Sequence, residues 1–222
     1  MPDRHQEGHE LQFCRICVPY TSHGDFLVYR IVLMYQPNRP AGGHPMTTLI
    51  ATADLHQHPS KWELLVAAVI EQKPDVVLIA GDLLPKYGGF EMQREFFPEL
   101  RGLLTRIRDE ASARVLLYLA NDDAHYLEPL VCELEGDGLC INMAQRVYRA
   151  DGLVYCGMNR VRDYPFGYKH YCVPDGDRVA DPVQFCGEGI TFDDDGKEVP
   201  IANLRQYLLA KSGIATTARS TV

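Results

Sequence analysis

What the sequence lacks narrows it first. No run approaches the roughly 18 apolar residues that a membrane-spanning helix needs, and no charged segment followed by an apolar core marks an export signal near the start. Positive charge is scarce. Against 30 Asp and Glu stand 22 Lys and Arg, a net charge of -8, which argues against an extended nucleic-acid surface. An acidic chain still binds phosphate esters when metal cations supply the local positive charge. No Gly-rich fingerprint follows the first convincing strand, where DLHQHPSKW stands instead, so a nucleotide-binding doubly wound domain is disfavoured. The seven cysteines form no dense framework and read as reduced thiols in a cytoplasmic protein. Cys14 and Cys17 make a lone CxxC with no second pair, so no zinc site is expected there.

What is present is an ordinary globular composition, 46% hydrophobic and 23% charged over 222 residues, enough for one substantial core. Residues 1–45 differ from the rest and are expected to be an atypical extension. Within them Phe26 to Tyr35 is a candidate strand, and PNRPAGGHP a linker. Met46 directly precedes the first convincing strand and reads as the natural start. The main domain is expected over 46–205, and a patternless, disordered tail over 206–222.

The stretch Thr48–His58 organises that domain. An apolar run through Leu49, Ile50, Ala51 and Ala53 ends in Asp54, Leu55 and His56, which reads as a buried strand delivering a carboxylate and an imidazole. Two apart on an extended backbone, Asp54 and His56 are expected to point the same way. That donor pair suits Mn, Fe or Zn better than Mg or Ca. Ser60 and Glu63 match a capping box at a helix start, and Trp62, Leu65, Val66, Val69 and Ile70 form one apolar helix face. Lys73-Pro74 ends that helix, and DVVLIA is a second buried strand that ends in Gly81-Asp82. The unit has the size of a parallel βαβ crossover. A second helix carries Phe96, Leu100, Leu103, Leu104 and Ile107, with Pro98 marking a kink or a start. RVLLYLA is the third strand and ends in Asn121-Asp122-Asp123. Parallel strands carry such ends to one edge, where open sheets bind ligands. Short strands follow at 139–143, 147–149 and 153–156, with Asp151-Gly152 as a hairpin turn, in a mixed sheet continuing the core. Residues 159–182 read as a long surface loop, 193–196 as an acidic turn, and 201–211 as a final helix.

Asp54-x-His56, Gly81-Asp82 and Asn121-Asp122, each after a buried strand, resemble the motifs of the calcineurin-like metallophosphoesterases over roughly Thr47 to Asn203. The loop from Gly157 to Asp175 looks like a site-bordering loop of a bacterial and archaeal branch. The resemblance implies an α/β fold, a metallophosphoesterase-like sandwich with mixed sheets. It implies a phosphoesterase that hydrolyses phosphate mono- or diesters by attack of a metal-bound hydroxide. Asp54 and His56 would bind a first metal, Asp82 would bridge two, and Asn121 would bind the second. Mn, Fe or Zn would be the divalent ions, and a phosphate-ester small molecule or a phosphorylated substrate the partner.

Two departures stand out. Where the family reads Gly-Asn-His, this chain reads Ala120-Asn121-Asp122. Asp122 either replaces the usual His as proton donor, which requires a carboxyl pKa raised by burial or like charge, or is an ionised structural residue. His125 is a weaker substitute, and a diester with a good leaving group would need no acid. The family's late His and Gly-His-x-His pair are also missing. Only His125 and His170 follow the third motif, His170 being a remote ligand candidate. A sandwich incomplete at its C-terminus, by truncation or frameshift, is the expected reason. The alternative function is a non-catalytic metal- or partner-binding remnant of the same fold.

Overall fold

Continuous apolar runs such as Leu49–Ala51 and Val76–Ile79 leave neither face of a strand free for water, and the computed structural model covers both. It describes residues 18–23, 26–34, 46–56, 58–86, 88–160, 164, 166–173 and 188–211. The motif at Cys14 and Cys17, the linker at 37–45 and the end at 212–222 lie outside them.

A six-stranded sheet runs in the order β1 (Val18–His23), β2 (Phe26–Met34), β3 (Met46–Thr52), β4 (Val76–Ala80), β5 (Arg114–Tyr118) and β6 (Ile141–Asn142). Strands β3 to β6 are parallel, while β1 and β2 add on antiparallel, with Met34 opposite Met46. The protein is therefore mixed α/β with a four-stranded parallel portion.

Alternation along the parallel strands divides the core. Ile50, Val77, Ile79, Val115 and Leu117 face helices α1 (Pro59–Gln72) and α3 (Phe97–Ala111). Leu49, Val76 and Leu116 face the other way, against Tyr155 and Leu153 of the hairpin β7 (Arg146–Ala150) and β8 (Leu153–Gly157). Trp62, Leu65, Val66 and Val69 of α1 are all buried, and full burial of each aliphatic side chain contributes about 1.5–3 kcal/mol. Phe96 breaks the second helix between α2 (Phe90–Glu95) and α3, with Pro98 in the first turn of α3.

Several expectations are corrected. The helix α1 starts at Pro59 with His58 as N-cap and no side-chain cap bond; Ser60 instead bonds to His58 Nδ1 at 2.9 Å. Proline is pre-organised for the first helical position, so Ser60 falls inside the helix and cannot cap it. The hairpin β7–β8 is a separate two-stranded sheet rather than a continuation of the main one. Its turn residues Asp151 and Gly152 both have positive φ, as a tight hairpin requires. A helix, α4 (Glu128–Gly136), and a hairpin, β9 (Gly189–Phe192) with β10 (Glu198–Ile201), were not anticipated. The last helix, α5, spans Leu204–Lys211, because Ile201 closes β10. The stretch read as a surface loop is partly core: Lys169, His170, Tyr171 and Cys172 are buried. Residues 161–163, 165 and 174–182 of it lie outside the described residues.

Candidate metal centre

The three polar exits of β3, β4 and β5 meet at one edge of the sheet. Strand β3 ends at Thr52, and the chain then turns through left-handed backbone at Asp54 (φ 57°) and His56 (φ 47°). Leu55 between them is fully buried and anchors the turn in the core. The two side chains thus converge through a turn, not through the two-residue repeat of an extended strand. Asp, Asn and His tolerate this conformation better than bulkier residues.

After β4, Gly81 (φ 77°) and Asp82 (φ 53°) repeat the device. A Cβ at Gly81 would lie 2.1 Å from the Ala120 Cβ, so only glycine lets the second exit pass the third so closely. Asp82 is the knot. Its carbonyl accepts from the His56 N–H at 2.9 Å, and its carboxylate accepts from the Asp122 N–H at 3.0 Å.

Ligand atoms of Asp54, His56 and Asp82 lie within 4.8 Å of one another. Donors about 2.0–2.2 Å from a tetrahedral ion sit roughly 3.3–3.6 Å apart, so the three side chains must draw in by about 1 Å to close on a cation. Burial and the neighbouring Asp123 push the Asp82 carboxyl up to about 7, a buried negative charge that a cation would offset. Burial also lowers the His56 imidazole, which favours its neutral, ligating form. The buried Nδ1 of His56 has no hydrogen-bond partner. The donor set therefore fits one divalent ion. Asn121 is half-buried, and its amide nitrogen donates to Asp122 at 3.0 Å, so its carbonyl oxygen is the side-chain atom that would be offered to a second ion.

Asp122 stands at the rim with Lys86 Nζ at 2.9 Å and His56 Nε2 at 3.9 Å. His125 and His170 are not in the cluster; both line a separate cavity.

Two supporting residues had escaped the sequence reading. Asp123 is fully buried and accepts from the N–H groups of Leu83 (3.2 Å), Leu84 (2.8 Å) and Ala120 (2.9 Å). Burial lifts its carboxyl to about 6 in spite of those donors. Gln93, also buried, donates to the carbonyls of Pro85 and Asp122 and accepts from the Ala124 N–H. Nothing in the order Asn-Asp-Asp says which carboxylate turns inward, and Gln93 lies on α2, outside every motif.

Compared with known proteins, the chain matches no family model and no curated protein.

Proposed function

We propose that the protein is a divalent-metal-dependent phosphoesterase acting on phosphate mono- or diesters, built on the calcineurin-like metallophosphoesterase plan. The observation that carries this reading is the approach of Asp54, His56 and Asp82 to within 4.8 Å at the carboxyl ends of two parallel strands. Mn, Fe or Zn bound there would supply Lewis-acid charge and lower the pKa of water. Asp54 and His56 would hold the first ion. Asp82 has two oxygens to share, and Asn121 would help hold a second. The ammonium of Lys86, kept at the rim by Asp122, is placed to steady a phosphoryl oxygen or to protonate the leaving one. Asp122 then acts by positioning Lys86 rather than by donating its own proton.

We place the protein in the cytoplasm. Cys132, Cys140 and Cys156 are free, and no helix among the described residues is long and apolar enough to cross a membrane.

A second reading, a non-catalytic metal-binding module, is favoured by one observation. Among the described residues Asp54, His56 and Asp82 are the one such group of His, Cys, Asp and Glu. Metal content per chain, together with turnover of bis-p-nitrophenyl phosphate with added Mn, separates the readings. Turnover abolished by Asp82→Asn supports the enzyme. Stoichiometric metal without turnover supports the module, and neither metal nor turnover overturns both.

A further inference from the structure

Along β8 the main sheet and the hairpin β7–β8 leave a cavity of about 320 Å³ between them. Its walls are Leu78, Ala80, Leu116 and Tyr118 of the sheet, Met143 after β6, and Tyr155 of the hairpin. Ligand pockets run from roughly 300 to 1,000 Å³, so this space is large enough to be one.

The pleat explains its chemistry. Val77, Ile79, Val115 and Leu117 point to the helices, which turns the residues between them to the opposite face. Register sets Leu78 opposite Leu116 and Ala80 opposite Tyr118, so these four make one continuous apolar floor. Leu78 and Tyr118 are half-buried and Ala80 is exposed, which leaves the floor open to an occupant.

Position says what that occupant is. Ala80 stands two residues before Asp82, a reach of at most about 7 Å along the backbone. Tyr118 stands three residues before Asn121. Burial, and then the charge of Asp82, raises the Tyr118 phenol, which sets that ring near the carboxylate. The apolar floor therefore runs out at the edge that carries the metal donors. A phosphate ester held at that edge has its organic group within reach of the cavity. A hydrocarbon group gains by leaving water for such a lining, whereas a sugar or glycerol group would give up hydrogen bonds to water that the side chains of the floor do not replace.

We propose that this cavity receives the organic group of the substrate, a phosphate ester whose alcohol part is uncharged and apolar. This occupancy depends on the phosphoesterase reading, because it needs the phosphate held at Asp54, His56 and Asp82.

Alkylphosphonates keep the phosphoryl oxygens but join carbon directly to phosphorus, so they have no ester bond to cleave and affinity is read without turnover. Calorimetric titration of the Mn-loaded full chain with methylphosphonate and hexylphosphonate tests the proposal. Each methylene moved from water to an apolar lining strengthens binding about four-fold, so hexylphosphonate, with its longer chain partly buried, should bind about thirty-fold or more tightly than methylphosphonate. Chelator should cost hexylphosphonate at least ten-fold in affinity. Ala80→Leu fills the cavity from an exposed position, and Leu78→Ser sets a hydroxyl in its floor; each should shrink the advantage of hexyl over methyl at least five-fold. Equal binding of the two phosphonates to Mn-loaded protein overturns the proposal and leaves the phosphoesterase reading standing. So does a hexyl advantage that both variants keep, or hexylphosphonate binding that chelator does not weaken. Binding of neither phosphonate to Mn-loaded protein overturns the phosphoesterase reading, and the proposal falls with it.

Discussion

The carboxylate of Asp123 accepts a hydrogen bond from the backbone N–H of Leu84 at 2.8 Å, from a position with no solvent exposure. With its bonds to Leu83 and Ala120, it fastens the chain leaving β4 to the chain leaving β5. Asp123→Ala would strand three backbone donors, each costing about 1–3 kcal/mol when buried and unsatisfied. A loss of at least about 3 kcal/mol is expected in urea unfolding. Asp123→Asn, which keeps one acceptor oxygen, should lose about half as much.

Gly81 makes a sharper test because its neighbour is a single methyl group. Gly81→Ala combines the Ala120 clash with a left-handed φ. Overpacking costs about 1–3 kcal/mol, and the left-handed backbone about 1–2 kcal/mol more. Adding Ala120→Gly removes the 2.1 Å methyl contact but leaves the Cα and N of residue 120 at 3.2 and 3.3 Å, and the φ strain, in place, so the double variant should recover only part of the overpacking cost. A double-mutant cycle by thermal or urea unfolding measures that coupling.

Acid should loosen the fold through His170. Burial, and then the adjacent His125, lowers its imidazole to about 3, below the ordinary 6.5. The unfolded chain therefore binds more protons between those values, and His170's contribution to stability is complete above 6.5 and lost as pH falls toward 3. The upper bound is about 4–5 kcal/mol. Asp123 works the other way: its carboxyl, raised to about 6, favours the fold as pH falls from 6 toward 4. Comparing wild type with His170→Gln, which keeps a donor for the Asp123 carbonyl, isolates the histidine. The wild type should lose stability more steeply below pH 6.5; parallel curves would sink the assignment.

Metal should stabilise the chain. Asp54, Asp82 and Asp122 crowd like charges around His56, and a cation on that cluster adds about 2.7 kcal/mol at a free concentration 100-fold above its Kd. Added Mn or Zn is expected to raise the melting temperature, chelator to reverse the gain, and Asp82→Asn to abolish it. Asp54→Ala, at the exposed end of the cluster, should shift the midpoint of a metal titration without abolishing binding.

Much of the frame was legible from residue order. The apolar runs of β3, β4 and β5, the buried face of α1 and the turn at Asp151-Gly152 are local patterns, and they were read as they stand. Three strand exits at one edge followed from parallel pairing. The manner of convergence did not. Asp54, His56 and Asp82 meet through left-handed turns, and positive φ at a non-glycine residue is set by what surrounds the turn. Ser60 misled for a related reason: the cap pattern was present, but Pro59 had already started the helix. Asp123 and His170 became visible only in three dimensions, because burial of a polar side chain depends on partners far away in the chain. Helix α4 is short, and Pro200 within β10 obscured that strand.

The left-handed backbone at residues 54, 56 and 82 has a consequence for selection. Each such residue holds about 1–2 kcal/mol that a glycine would release. A directed-evolution campaign that rewarded heat resistance alone would find these three codons early and erase the donor atoms they encode. Their persistence in a thermally selected library would have to be enforced by a second screen for ion capture.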